Sequence, residues 1–195
     1  MGVSTAYHIK KRDPNKDIIV IEVKISSFEK IYEGFLANLG IPLEEIIELS
    51  EGDYHNLRME VPRLIQESNS LKGVIKKGTD AQVSPENFEK LLLMYKEMSK
   101  LGISYILFGH FGDGHLHFNF LPDKEEVNLC EDYLKEFYKK LLEINGSPFA
   151  EHGIGLIKQT FIRPFLGDAQ FAMFKDLKKR FDPHNQFFPQ GFLNL

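Results

Sequence analysis

The chain has 195 residues, of which 43% are hydrophobic and 27% are charged, and its formal net charge is −4. These values are typical of one soluble globular domain, and without a basic excess we expect no nucleic-acid-binding surface. The single cysteine, Cys130, excludes an intrachain disulfide and favours a reducing, cytoplasmic location. The sequence contains no apolar run that is typical of a signal peptide or a membrane span.

The first third of the chain predicts a strand followed by two helices. Residues 17–23 form a short run of β-branched residues, which indicates a buried strand. A helix is expected over residues 26–39, ending before Pro42. A second helix is expected over residues 50–66, and Pro62 should kink or divide it.

The middle of the chain predicts a polar strand and an amphipathic helix. Residues 73–83 are strand-like but polar, and Ser84-Pro85-Glu86 is a typical helix start. That helix is expected to end at Gly102. Its apolar stripe, at spacings of three and four residues, consists of Leu91, Leu92, Tyr95 and Met98.

The remaining segments predict a hairpin and two helices. Residues 103–110 and 115–121 are strand-like and flank a glycine-rich turn. Helices are expected over residues 122–144 and 168–181. The pattern favours an α+β fold, with a largely antiparallel sheet covered by helices and ferredoxin-like half-units.

Histidines supply the clearest functional signal. Three of the seven, His110, His115 and His117, lie within eight residues, and His152 follows the carboxylate of Glu151. Alternate side chains of a strand share a face. The second hairpin strand should therefore have a polar face of His115, His117 and Asn119 and an apolar face of Leu116, Phe118 and Phe120. Buried polar groups are costly without partners, so the pattern favours a functional site.

These residue types suit an open divalent-metal site. The hairpin can bring His110 back toward His117, and Glu151 can supply a carboxylate as the third ligand, leaving positions for water or substrate. His152 would then lie beside the metal, within reach to act as a general base. Asp113, in a Gly-Asp-Gly turn, is as well explained by the turn as by ligation.

Two segments resemble the signatures of one protein family. Residues 109–119 read Gly-His-Phe-Gly-Asp-Gly-His-Leu-His-Phe-Asn, which resembles the Gly-His-x-Gly-Asp-Gly-Asn-x-His-x-Asn signature of FAD-linked oxidase C-terminal domains. Residues 151–155, Glu-His-Gly-Ile-Gly, followed by Lys158, resemble the second signature. Weaker similarities occur at Leu57-Arg58, Gly78-Thr79-Asp80 and residues 178–189.

The family includes D-lactate dehydrogenases, one of the subunits of glycolate oxidase, and D-2-hydroxyglutarate dehydrogenases. The resemblance implies a divalent metal, zinc or manganese, with the ligands His110, His117 and Glu151. It implies that His152 takes the proton of the substrate hydroxyl while hydride passes from the 2-carbon to the flavin. Asn119 would hydrogen-bond the substrate, and the two-pronged guanidinium of Arg58 would bind its carboxylate.

This sequence departs from the family pattern at several positions. His115 stands where the family usually has asparagine, and Phe188 replaces asparagine in the closing segment. The lysine expected just before Asp80 aligns best with Lys76 or Lys77. These departures leave the identity of the hydroxyacid and the role of His115 open.

The resemblance begins at about residue 50 and includes no FAD-binding segment. We therefore expect residues 1–195 to form only the substrate- and metal-binding domain, inactive alone, with FAD supplied by an N-terminal domain or a separate subunit. A surface that normally faces the flavin would then be exposed and could pair two copies as a homodimer. The full enzyme could also associate peripherally with a membrane.

Three other interpretations fit part of the sequence. In a histidine-triad nucleotide hydrolase the motif is His-apolar-His-apolar-His; His115 and His117 fit it, but Asn119 replaces the third histidine. A zinc-dependent hydrolase can use the same ligands without any redox cofactor. A non-enzymatic fragment that binds metal or a partner chain is the third.

Overall fold

The computed structural model describes residues 4–8, 18–21, 30, 33–34, 38, 49–156, 158–191 and 193. Most of the helix predicted over residues 26–39 lies outside these residues. The described helices are α1 (Glu51–Lys72), α2 (Phe88–Ser99), α3 (Val127–Glu143) and α4 (Asp168–Phe181). The strands are β1 (Ser4–His8), β2 (Ile18–Ile21), β3 (Lys77–Gly78), β4 (Ala81–Gln82), β5 (Tyr105–His110) and β6 (His115–Phe120). None of the described helices combines the length and apolar character needed to cross a bilayer.

All six described strands belong to one antiparallel sheet, which confirms the predicted α+β class. The strand order is β2-β1-β5-β6-β3, and β4 also pairs with β6. One edge of β6 therefore pairs with β5, and the other pairs with β3 and β4 in turn. Every residue of β6 is buried as a result, including its histidines.

The predicted hairpin of β5 and β6 is confirmed. His110 lies opposite His115, and Phe108 lies opposite His117. The connection is a short 3-10 turn at Phe111–Asp113, closed by Gly114 at φ +62°. A residue with a side chain is disfavoured at this φ, which explains the glycine after Asp113.

The apolar face of β6 forms the floor of the main core, as the alternation predicted. Leu116, Phe118 and Phe120 pack there against α2 and α3. Tyr95 of α2 stacks on Phe118 with ring centroids 5.5 Å apart. The predicted stripe of α2 faces this core: Leu91, Tyr95 and Met98 are buried, and Leu92 packs at its margin. Cys130 is also buried there, and burial raises the pKa of its thiol to about 11, so it is a packing residue.

Three sequence predictions need correction. Helix α1 runs unbroken past Pro62 to Lys72, beyond the predicted end at residue 66. Pro62 and Arg58 are both exposed, so water can solvate the Arg58 carbonyl that lacks its helical partner. The single strand expected over residues 73–83 is split into β3 and β4, because Thr79 and Asp80 between them bind β6 and a distant loop. Strand β1 was not predicted; its register is set by pairing with β5.

Candidate metal centre

Asp80, between β3 and β4, anchors the loop that carries Glu151 and His152. Asp80 as a whole residue is 1% exposed. It accepts a 2.6 Å hydrogen bond from Nζ of Lys158 and backbone N–H bonds from Glu151 at 3.1 Å and His152 at 3.0 Å. The same carboxylate lies 3.1 Å from Nε2 of His115. One buried side chain thus joins the sheet, the loop and a site histidine.

Asp80 and Lys158 form a buried ion pair. Burial tends to raise the pKa of Asp80, but the hydrogen bond and charge of Lys158 and the N–H groups of His152 and Glu151 together lower it to about 2. Burial lowers the pKa of Lys158, and Asp80 opposes that effect. Because Asp80 is ionised near neutral pH, it can accept four hydrogen bonds at once.

The ring of His117 is oriented by a hydrogen bond at one nitrogen, which leaves the lone pair of the other nitrogen available. Its Nδ1 lies 3.3 Å from the carbonyl oxygen of Thr79, which makes Nδ1 the protonated nitrogen. Its Nε2 faces Oε2 of Glu151 at 3.4 Å. Burial, followed by repulsion from His115, lowers the pKa of His117 to about 4, against smaller opposing effects. A neutral imidazole with one oriented lone pair is suited to bind a metal.

His115 has the same kind of orientation. Its Nε2 lies 3.1 Å from Oδ1 of Asp80 and its Nδ1 lies 3.5 Å from Oε1 of Glu151. The rings of His115 and His117 meet edge to face with centroids 4.4 Å apart. Only 3% of His115 is exposed.

Three imidazole nitrogens lie within 3.5 Å of the partly exposed Glu151 carboxylate. His110 Nε2 lies 3.3 Å from Oε1, alongside the 3.5 Å and 3.4 Å contacts of His115 and His117. These separations exceed a usual nitrogen–oxygen hydrogen bond. They are close to the roughly 3.4 Å between neighbouring ligands of a tetrahedral zinc ion with bonds of about 2.1 Å. The residues present therefore fit a divalent metal.

Two groups have potential metal-binding atoms that all lie within 4.8 Å of one another. They are His115–His117–Glu151 and Asp80–His117–His152. His110, expected as a ligand from the sequence, contacts Glu151 but belongs to neither group among the described residues. The side chain of His152 is exposed, and its ring stacks on His117 with centroids 4.9 Å apart.

Asn119 lies two residues beyond His117 on the same face of β6 and is fully buried. Its Oδ1 accepts a hydrogen bond from Lys76. Its Nδ2 has no hydrogen-bond partner among the described residues. Burial lowers the pKa of Lys76; Asp80 opposes this and Lys158 adds to it. An unpaired buried donor beside a half-buried cation is an arrangement that a bound anion would satisfy.

The structure brings five of the six predicted site residues into this region. They are His110, His117, Asn119, Glu151 and His152. Arg58 is exposed on α1 with its guanidinium over the ring of Tyr54, 5.6 Å from the centroid. No hydrogen bond, ion pair or ring contact recorded for the described part of the chain joins Arg58 to the other five.

Sequence reasoning gave no role to Asp80 or Thr79. Both occur in Gly78-Thr79-Asp80, which was noted only as a weak resemblance. Their partners lie 35 to 78 residues away, so no local spacing indicates the contacts. The signal that could have indicated them is that Thr79 and Asp80 are two polar residues inside a strand-like segment. Polar side chains that are buried in a strand need hydrogen-bond partners.

The metal-free chain should lose stability in two steps as the pH falls. His117 has a folded pKa of about 4 against an ordinary 6.5, so its contribution of about 3 kcal/mol is present above pH 6.5 and lost toward pH 4. Asp80, with a folded pKa of about 2 against 3.8, contributes about 2 kcal/mol above pH 3.8, which is lost toward pH 2. Urea unfolding with a chelator, measured from pH 7 to pH 2, checks this. The His117→Gln variant should lack the upper step; a step unchanged in that variant would contradict the assignment.

Comparison with known proteins identifies the class. Residues 56–190 match the family model described as FAD linked oxidases, C-terminal domain. The chain therefore belongs to this family, and the resemblance seen in the sequence is confirmed.

The chain is similar to several proteins named as an oxidase subunit or as dehydrogenases. It is 36% identical over 90 residues to glycolate oxidase subunit GlcD of Bacillus subtilis, a segment covering 45% of this chain and 19% of that protein. It is 37% identical over 84 residues to D-2-hydroxyglutarate dehydrogenase of Xanthomonas citri, covering 40% of this chain and 18% of the relative. The chain is also 27% identical over 163 residues to D-lactate dehydrogenase of Anaerostipes hadrus, a segment covering 73% of this chain and 34% of that protein. The chain thus spans about a fifth to a third of the length of these relatives.

Proposed function

We propose that this chain is the substrate- and metal-binding domain of an FAD-dependent 2-hydroxyacid dehydrogenase. The substrate class is that of D-lactate, glycolate or D-2-hydroxyglutarate. The observation that carries the proposal is the Glu151 carboxylate within 3.5 Å of three imidazoles, next to a buried Asn119 with an unpaired amide. The names of the relatives supply the substrate class.

In this proposal His110, His117 and Glu151 hold a divalent metal, zinc or manganese. When bound, such an ion polarises the hydroxyl and carboxylate oxygens of the substrate and lowers the pKa of the hydroxyl. His117 is prepared for this role because its proton is held at Nδ1 by the Thr79 carbonyl. Glu151 adds the anionic ligand, and its backbone is fixed by Asp80.

His152 takes the proton of the substrate hydroxyl at its imidazole. Its backbone N–H donates to Asp80, which fixes the main chain, while the ring remains exposed and stacked on His117. An exposed ring next to the ligands can approach a bound hydroxyl and then release the proton to water. FAD, held by another domain or subunit, would supply the acceptor for the hydride of the 2-carbon.

Asn119 and Lys76 receive the polar groups of the substrate. The free Nδ2 of Asn119 can donate to a carboxylate or hydroxyl oxygen, and the Lys76 ammonium can balance the carboxylate charge. Arg58 remains a proposed second anchor for the carboxylate, reached from the exposed face of α1. A cytoplasmic location, a homodimer and peripheral membrane association of the full enzyme stay predictions.

Calorimetry with zinc and manganese on the purified chain tests the proposal. The unmutated chain should bind metal, and His117→Ala should lower the affinity by at least about tenfold, because Nε2 of His117 is a ligand. The metal-loaded chain should then bind D-lactate, glycolate or D-2-hydroxyglutarate, and Asn119→Ala should weaken that binding. His55→Ala, on the exposed surface of α1, is the matched control.

Other outcomes would favour the remaining interpretations. Metal-free cleavage of a nucleoside phosphoramidate would indicate a histidine-triad hydrolase. Metal-dependent hydrolysis without any flavin would indicate a zinc hydrolase. Metal binding without hydroxyacid binding would indicate a non-enzymatic fragment, and an absence of metal binding would refute the proposed centre.

A further inference from the structure

We infer that His115 is an additional imidazole ligand of the metal proposed above, oriented by Asp80, and that it makes the centre prefer zinc to manganese. The inference rests on the proposed function, because it concerns the same metal. It also concerns a position at which this chain departs from the family signature, which usually has asparagine where His115 stands.

The first support is the orientation of the ring. Nε2 of His115 lies 3.1 Å from Oδ1 of Asp80, a carboxylate that also accepts N–H bonds from Lys158, Glu151 and His152, so Nε2 is the nitrogen that carries the proton and donates it. Nδ1 is then left with a free lone pair. A carboxylate that accepts from the distal nitrogen is the usual outer partner of a metal-binding histidine, because it fixes the tautomer and raises the basicity of the ligand nitrogen.

The second support is where the free nitrogen lies. Nδ1 of His115 faces Oε1 of Glu151 at 3.5 Å. This distance is close to the 3.4 Å between Nε2 of His117 and Oε2 of the same carboxylate. The three residues form one of the two groups whose donor atoms all lie within 4.8 Å of one another. His115 therefore meets the distance requirement together with His117, and both free lone pairs are directed at the same carboxylate.

The third support is that the imidazole of His115 is buried next to the polar groups of His117 and Glu151. His115 is 3% exposed and His117 is 3% exposed, with ring centroids 4.4 Å apart. Both rings direct free lone pairs at the Glu151 carboxylate, which His110 Nε2 also approaches at 3.3 Å. That arrangement is unfavourable, and a cation bound among the three groups would relieve it.

The number of imidazoles decides which metal is preferred. Imidazole nitrogen suits zinc, whereas manganese is better served by oxygen ligands. With His110 and His117 already proposed as ligands, His115 raises the nitrogen share of the site. An asparagine at this position would offer an amide in place of the imidazole.

The test is metal binding by calorimetry on the full chain with zinc and with manganese. We expect His115→Asn, which restores the residue usual in the family, to lower zinc affinity by about tenfold or more. Manganese affinity should change by no more than about threefold, because the amide oxygen of the introduced asparagine is a ligand type that suits manganese. His117→Ala should lower the affinity for both metals. Thermal unfolding of each metal-free variant reports whether it is folded.

X-ray absorption of the zinc-loaded, unmutated chain needs no substitution and counts the imidazoles directly. We expect three imidazoles with His115 among them, falling to two in His115→Asn. Unchanged zinc affinity in His115→Asn, or an imidazole count that does not fall in that variant, would overturn the inference, while loss of binding in His117→Ala would leave the proposed function standing. If the unmutated chain binds neither metal, the inference and the proposed centre both fail.

Discussion

The Asp80→Asn variant is expected to lose about 3 kcal/mol of unfolding free energy and most of its metal affinity. Asparagine has the shape of aspartate but no charge, so the buried Lys158 ammonium would lose its counterion. Removing one partner of a buried ion pair costs more than the pair contributes, because the other charge stays buried. The amide nitrogen would also replace one acceptor oxygen, either Oδ1, which accepts the N–H bond of Glu151, or Oδ2, which accepts that of His152.

The chain offers a matched control in Asp182, which is 5% exposed. Its carboxylate pairs with Lys178 and accepts backbone N–H bonds from Gln186 at 2.7 Å and Phe187 at 2.9 Å. Asp182→Asn should therefore also destabilise the fold. Only Asp80→Asn should weaken metal binding, because only Asp80 holds His115 and the loop of Glu151.

Urea unfolding and zinc calorimetry on both variants give the comparison. Equal loss of metal affinity in Asp80→Asn and Asp182→Asn would mean that destabilisation alone causes it. Wild-type stability in Asp80→Asn would contradict the buried ion pair. Either result would contradict the prediction that Asp80 positions the residues of the metal centre.

The His152→Gln variant is expected to slow 2-hydroxyacid oxidation by about 100-fold to 10,000-fold, the range of general base catalysis. Glutamine can hydrogen-bond the hydroxyl but cannot take its proton. Zinc affinity should change little, because the backbone of His152, not its ring, is bound to Asp80. The measurement is turnover in the flavin-loaded enzyme that contains this domain, with zinc calorimetry on the same variant.

Two controls separate a catalytic role from a structural one. His55→Gln replaces an exposed histidine of α1 and should leave turnover unchanged. Added imidazole should restore part of the rate of His152→Gln, because a soluble base can enter the exposed position. Loss of zinc from His152→Gln would instead make His152 a ligand, as the Asp80–His117–His152 group permits.

Local patterns in the sequence were sufficient to predict the parts of the fold that depend on residues close together in the chain. The alternation of β6 correctly separated the core residues from the polar face, and the stripe of α2 correctly gave its buried side. The end of α4 before Asp182 was also correct. These features depend on a period of 2.0 or 3.6 residues, which is visible within a few turns of chain. The prediction that Pro62 divides the helix was wrong, because the energetic cost of a proline within a helix depends on whether the carbonyl that loses its partner is solvated. A local sequence pattern does not show that.

The sequence by itself determined which residue types can do chemistry and that they belong to an FAD-linked oxidase domain over residues 56–190. It indicated His117 and Glu151 as partners through the resemblance, but it gave no place to Asp80. Only the tertiary structure decided that Asp80 joins His115, 35 residues away, to Lys158, 78 residues away. The physical reason is that a strand pattern fixes the face a side chain lies on, whereas the atoms it meets depend on how distant segments pack.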